Sequence, residues 1–169
     1  MNSPTHDSAS FAQVARPQKS PCDLRLLTAL EDALHTLGLT SADVRLMAFF
    51  PLVYVAWSDG SLQKKESKLI MDEAIQWGLS EEELAILSDQ WLACKPTEDF
   101  DEAGLFLIEF LFEDDRRLVA KGGPCKAEII SMAERVGRVA GGLFDLLFTL
   151  EGSEREALKR LRQAMHLDA

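Results

Sequence analysis

The stretch best suited to chemistry is Asp59-Gly60-Ser61-Leu62-Gln63-Lys64-Lys65-Glu66. It sets two carboxylates around a glycine at the spacing of the back half of a calcium loop. In such a loop the first and third ligand positions would be Val55 and Trp57, and neither side chain offers an oxygen. The stretch is therefore not an EF-hand. Two readings remain. In one, Asp59-Gly60 is a turn that ends a helix, with Gly60 taking a positive φ, and Gln63 with Glu66 forms a capping box that braces the next helix. In the other, Asp59 and Glu66 are oxygen ligands of a divalent cation in a site of different design.

A helical wheel puts Glu66, and Glu73 after it, on the same stripe as Leu62, Leu69, Ile70 and Trp77. Carboxylates on an apolar stripe need partners, which can be backbone donors, a basic side chain or a cation. The other acidic candidates are Glu98, Asp99, Asp101 and Glu102, then Glu113, Asp114 and Asp115. They suit a solvated helix face or a basic protein partner. Near the C-terminus Ser153-x-x-Glu156 has the spacing of another capping box.

Little else carries chemistry. His6, His35 and His166 are far apart, and none has a cysteine or second histidine at zinc spacing. There is no nucleophile-elbow GxSxG and no glycine-rich phosphate loop. Nothing in the sequence points to catalysis. The net charge of −10 disfavours nucleic acid and anionic lipid as partners, since both call for a basic patch. Cys22, Cys94 and Cys125 are odd in number and widely spaced, as expected of reduced thiols in a cytoplasmic protein. The longest apolar run, Leu46 to Trp57, contains Pro51 and is too short to span a bilayer, which takes about 20 residues.

These residues must be positioned by helices. Residues 1–22 are rich in Ser, Pro, Thr and Gln and read as a flexible tail, leaving 23–169 as one domain. Leu27, Leu30, Leu34 and Leu37 mark a first helix that stops at Gly38. A second runs through the apolar stretch to Ser58, kinked at Pro51. A third covers about 63 to 77, and Ser80-x-x-Glu83 opens a fourth. A fifth starts near Thr97 and continues past Leu118 to Gly122-Gly123-Pro124. A sixth carries Ile129, Met132, Val136 and Leu143 past a break at Gly141-Gly142, and the last opens at Ser153. No segment alternates with the period of a strand. The prediction is an all-α bundle of about seven helices.

The stretch from Val55 to Ser80 resembles the signature of the TerB-like tellurite-resistance family. It has an apolar helix ending Ala-x-x-Asp-Gly, a Glu seven residues after the Asp, and then an amphipathic helix. Gly141-Gly142, the apolar segment after it and Ser153-x-x-Glu156 resemble that family's second half, so the likeness covers about 44 to 164. DnaJ-type membrane co-chaperones carry a similar module. The resemblance implies a compact helical bundle with two pseudo-repeated halves. It also implies a non-catalytic cytoplasmic role in a bacterial stress or metal-resistance system. Its acidic site would be Asp59 and Glu66, with Glu156 from the second half, taking calcium, magnesium or manganese. The chain departs from the pattern in having Thr149 or Glu151 where a second Asp-Gly pair is expected. The alternative is a metal-free adaptor that grips a basic protein through its acidic helix faces.

Overall fold

The computed structural model describes residues 21–113, 124–140 and 152–167. Seven α-helices and no strand occur among them: α1 (Pro21–Thr36), α2 (Phe50–Ala56), α3 (Lys64–Gln76), α4 (Glu81–Ile86), α5 (Glu98–Leu111), α6 (Lys126–Ala140) and α7 (Gly152–Ala164). The expected all-α bundle is what the chain forms. Residues 1–20, Asp114, Asp115, Leu118 and the two Gly-Gly pairs lie outside the described residues.

The apolar run is the centre of the molecule. Every residue of α2 is buried. The helix packs against α6, α7 and α3. The run is not one kinked helix, however. Val44–Ala48 is a 3-10 turn, Phe49 is the cap, and Pro51 stands in the first turn of α2. Proline lacks an N–H and disrupts a helix interior, but in the first turn that N–H would have no helical partner anyway. Pro51 therefore begins a helix where a kink was expected. Trp57 is only partly buried, and its indole N–H donates to the Trp91 carbonyl at 3.1 Å.

Capping follows the local spacing closely. Glu83 Oε2 accepts from the Ser80 N–H at 2.8 Å, and Ser80 Oγ accepts from the Glu83 N–H at 3.2 Å. The Thr97 hydroxyl accepts from the Phe100 N–H at 3.2 Å and opens α5. After α4 the chain continues as one π-helical turn, Leu87–Trp91, which delivers Trp91 to the core. The Trp91 indole donates to the Leu37 carbonyl at 2.9 Å, tying the end of α1 to this turn. α5 ends at Leu111, earlier than the sequence suggests, and Phe112 turns inward and is buried.

An aromatic cluster joins α2 to α5. Phe50 stacks on Tyr54 with centroids 5.7 Å apart, and Trp91 meets Phe100 edge-on at 5.5 Å. Gly104 of α5 lies directly on the Phe50 ring, where an added methyl would collide with the ring carbons. Gly104→Ala should therefore destabilise the fold by about 1–3 kcal/mol, the usual cost of overpacking. Phe50→Ala should cost about 3–5 kcal/mol. Urea denaturation checks both, and a loss under about 1 kcal/mol for Phe50→Ala would show that this contact does not hold α5 in place.

Candidate functional site

The turn that leaves α2 has the local geometry its residues imply. Gly60 has φ +89°, which an L-residue reaches only with strain. Asp59 Oδ1 accepts from the Ser61 N–H at 2.8 Å, a side chain closing its own turn. Gln63 and Glu66 then form the capping box of α3, with Glu66 Oε2 accepting from the Gln63 N–H at 2.7 Å.

Glu66 is 1% exposed, so this carboxylate lies in the core. Burial, reinforced by the nearby Asp59 and Glu154 carboxylates, pushes it up to about 7 despite the opposing Gln63 N–H bond. Glu73, on the same stripe, is buried against Arg135 of α6, with Nη2 to Oε1 at 2.8 Å. Both stripe carboxylates thus find their partners within the chain.

The second half corrects the expected register. α7 begins at Gly152, so Ser153 sits inside its first turn and is not its cap. The buried acid is Glu154, 3% exposed, while Glu156 is exposed. Glu66 and Glu154 are both the third residue of their helices, and Ile70 and Leu158 both follow four residues later in the core. The wheel contained the signal: Glu154 shares a stripe with Leu158, Leu161 and Met165.

Asp59, Glu66 and Glu156 therefore do not converge as ligands of a calcium, magnesium or manganese ion. Among the described residues, no three His, Cys, Asp or Glu side chains are grouped so as to hold a metal. Hard cations of this kind take six or more oxygens. One oxygen of each, Asp59 Oδ1 and Glu66 Oε2, instead accepts from a backbone N–H.

Glu156 belongs to a different feature. A cleft of about 320 Å³ opens where the end of α2, the residues before α5 and the first turns of α7 meet. Tyr54, Trp57 and Ser58 come from α2 and its turn, Lys95 and Pro96 from the segment before α5, and Asp101 from the first turn of α5. Ser153, Glu156, Ala157 and Arg160 come from α7. Candidates that the sequence assigned to three separate roles, Asp101, Ser153 and Glu156, share this one cleft. Glu98, Asp99, Glu102 and Glu113 remain on the exposed surface.

The polar groups of the cleft are incompletely used. Ser58 Oγ is buried and has no hydrogen-bond partner among the described residues. Burial pushes the Asp101 carboxyl up to about 6, against the pull of Lys95 and Arg160. Burial likewise raises Tyr54, while its hydroxyl takes a hydrogen bond from Arg160. Tyr54, Ser58, Lys95 and Arg160 were not candidates from sequence. For Arg160 the signal was one of spacing, since Ser153-x-x-Glu156-Ala157-x-x-Arg160 lies on one helix face.

In comparisons with known proteins, no family model matches the chain, and no curated protein or solved structure matches it.

Glu66 generates a prediction with a definite sign. Its proton is held more tightly in the folded state than at its ordinary value of 4.5. The stability this adds is complete below pH 4.5 and is lost as the pH rises through about 7. Glu66→Gln should flatten that decline between pH 5 and 8 while staying within about 1 kcal/mol of wild type, because the amide oxygen still accepts. Glu66→Ala should cost about 0.5–2 kcal/mol. Glu154→Ala should be more damaging than Glu156→Ala, which as a surface change should stay within about 0.5 kcal/mol. Denaturant titrations across pH check all four, and an unchanged slope in Glu66→Gln would refute the assignment.

Proposed function

We propose that this chain is a non-catalytic binding module of the TerB-like kind, serving a bacterial stress or metal-resistance system in the cytoplasm, and that its working site is the cleft beside Tyr54 and Arg160. The sequence signature from Val55 to Ser80 supports the TerB-like part of this reading, and the all-helical fold agrees with it. Among the described residues no helix is long and apolar enough to cross a membrane.

The observation that carries the binding role is the unused polar capacity of the cleft, above all the buried Ser58 hydroxyl without a partner. Buried hydroxyls are normally hydrogen-bonded, so the Ser58 hydroxyl, enclosed beneath the cleft lining, is spare polar capacity beside it. The lining favours binding over chemistry. Among the described residues, the lining includes no histidine or cysteine, and none hydrogen-bonds the Ser58 hydroxyl.

A second reading rests on the exposed acids of α5. Glu98, Asp99 and Glu102, with Glu113 beyond the helix end, offer a negative surface to a basic protein. Such an adaptor would show steep salt dependence and would leave the cleft unused.

Complementation tests the proposal. In a host lacking the gene and challenged with tellurite or with divalent metals, wild type should restore growth. Arg160→Glu should fail to do so while keeping its melting temperature within a few degrees, since Arg160 is exposed. Full rescue by Arg160→Glu, with loss on neutralising Glu98, Asp99 and Glu102, would favour the adaptor instead. Calcium, magnesium and manganese should leave the melting temperature unchanged, and a rise of several degrees abolished by Asp59→Asn would restore the metal reading.

A further inference from the structure

α5 has two faces of different kinds. Gly104, Leu107 and Ile108 are buried against the core. Turned away from it, Phe106 and Phe110 stand one turn apart and remain 37% and 40% exposed. Asp99, Glu102 and Glu109 lie on the same outer side at helical spacing, and Glu113 follows just beyond the helix end. All four acids are exposed. Single exposed apolar residues are ordinary, but two aromatic rings on successive turns of one helix make a patch.

α1 extends it. The Leu37 carbonyl after α1 accepts from Trp91, and Trp91 meets Phe100 in the first turn of α5. α1 packs along α5, so the two helices run in opposite directions and the start of α1 lies toward the Phe110 end. Leu24 and Leu26 are exposed there. Leu26 shares a stripe with Leu30, Ala33 and Leu37, whose burial deepens along the helix. The inward stripe of α1 therefore loses its cover toward its first turns.

The charge of this face chooses its partner. Residues 98–113 hold six carboxylates and no lysine or arginine. Among the described residues no ion pair neutralises Asp99, Glu102, Glu109 or Glu113. A second copy brought face to face would set these acids against one another, and anionic lipid or nucleic acid would be repelled. A purely polar cation would answer the carboxylates but leave the phenylalanines in water. A helix with one apolar stripe and lysine or arginine at its edges answers both. Its apolar stripe repeats with the period of Phe106 and Phe110. Its cationic heads gain from the carboxylates and from the ring faces beside them. From Asp99 to Glu109 the face is about 15 Å long, close to three helical turns.

We infer that the outer face of α5, with the start of α1, docks a cationic amphipathic helix of a partner protein, its apolar stripe on Phe106 and Phe110 and its basic edges on Glu102, Glu109 and Glu113. This rests on the reading of α5 as a surface for a basic protein and adds the form of that partner. It does not depend on what the cleft holds.

The full chain, titrated by calorimetry with model peptides, tests the inference. The probes are a leucine–lysine amphipathic helix, the same composition scrambled to lose its apolar stripe, oligolysine, and the matching leucine–glutamate helix. The leucine–lysine helix should bind. The scrambled peptide and oligolysine should bind at least about tenfold more weakly, and the leucine–glutamate helix more weakly still. Phe106→Ala combined with Phe110→Ala should weaken the leucine–lysine helix at least about tenfold and leave oligolysine unchanged. Glu102→Gln combined with Glu109→Gln should weaken both and flatten the salt dependence. Arg160→Gln, in the cleft, should alter neither. Near-wild-type melting of each variant establishes that the fold is intact. A scrambled peptide that binds as tightly as the helix, or an affinity untouched by the phenylalanine substitutions, would overturn the inference. If the glutamate substitutions still weakened binding, the reading of α5 as an acidic partner surface would stand without it. Failure of every cationic peptide to bind would remove both. Self-association of the free chain, abolished by the phenylalanine substitutions, would assign the face to a second copy and overturn the inference likewise.

Discussion

The structure depends on one constraint: α2 is a helix with no outer face. All seven of its residues, Phe50 to Ala56, are buried. An ordinary amphipathic helix needs cover on one side, but a helix apolar all round must be surrounded. α3, α6 and α7 supply that cover, and the Phe50–Trp91–Phe100 cluster brings α5 against the same core. The close seating of Gly104 on Phe50 follows from the same demand for packed contact, as interiors tolerate few voids.

Surrounding a helix creates a difficulty at its neighbours' ends. α3 and α7 both begin beside the core, and helix N-termini present backbone N–H groups with no helical partner. A buried carboxylate at the third position of each helix meets that need on the α3 side, where Glu66 accepts from the Gln63 N–H. Glu154 takes the corresponding place on α7. The two acids are near enough for Glu154 to raise the proton affinity of Glu66, an electrostatic cost built into this arrangement. Elsewhere buried charge is matched directly. Glu73 meets Arg135, and the Lys126 ammonium donates to the Met165 carbonyl at 3.1 Å.

The cleft is a by-product of the same arrangement. Where α2 ends, its cover ends too, and the chain leaves through Trp57, Ser58 and the Asp59–Gly60 turn. α5 and α7 both start at this edge, so their polar first turns face one another across it. Three elements that separately bury apolar surface thus leave a polar opening at their common end. Binding sites arise readily in such places, where backbone is rigid and side chains are not needed for the core.

What the sequence by itself determined was whatever depends on near neighbours. The helical period, the Ser80–Glu83 and Gln63–Glu66 boxes and the positive φ of Gly60 were all legible. So was the placement of Glu66 and Glu73 on a buried stripe. These features rest on contacts three or four residues apart or on the geometry of one residue. The tertiary structure decided where helices start and which stripes meet. Pro51 could kink one helix or open another, and packing of Leu46 to Phe49 as a separate turn chose the second. The start of α7 at Gly152 moved the buried acid from Glu156 to Glu154, because two residues rotate a helix face by roughly 200°. The meeting of Tyr54, Lys95, Asp101 and Arg160 was not legible at all. These residues lie on three elements far apart in the chain, and only the burial of α2 brings those elements together at one edge.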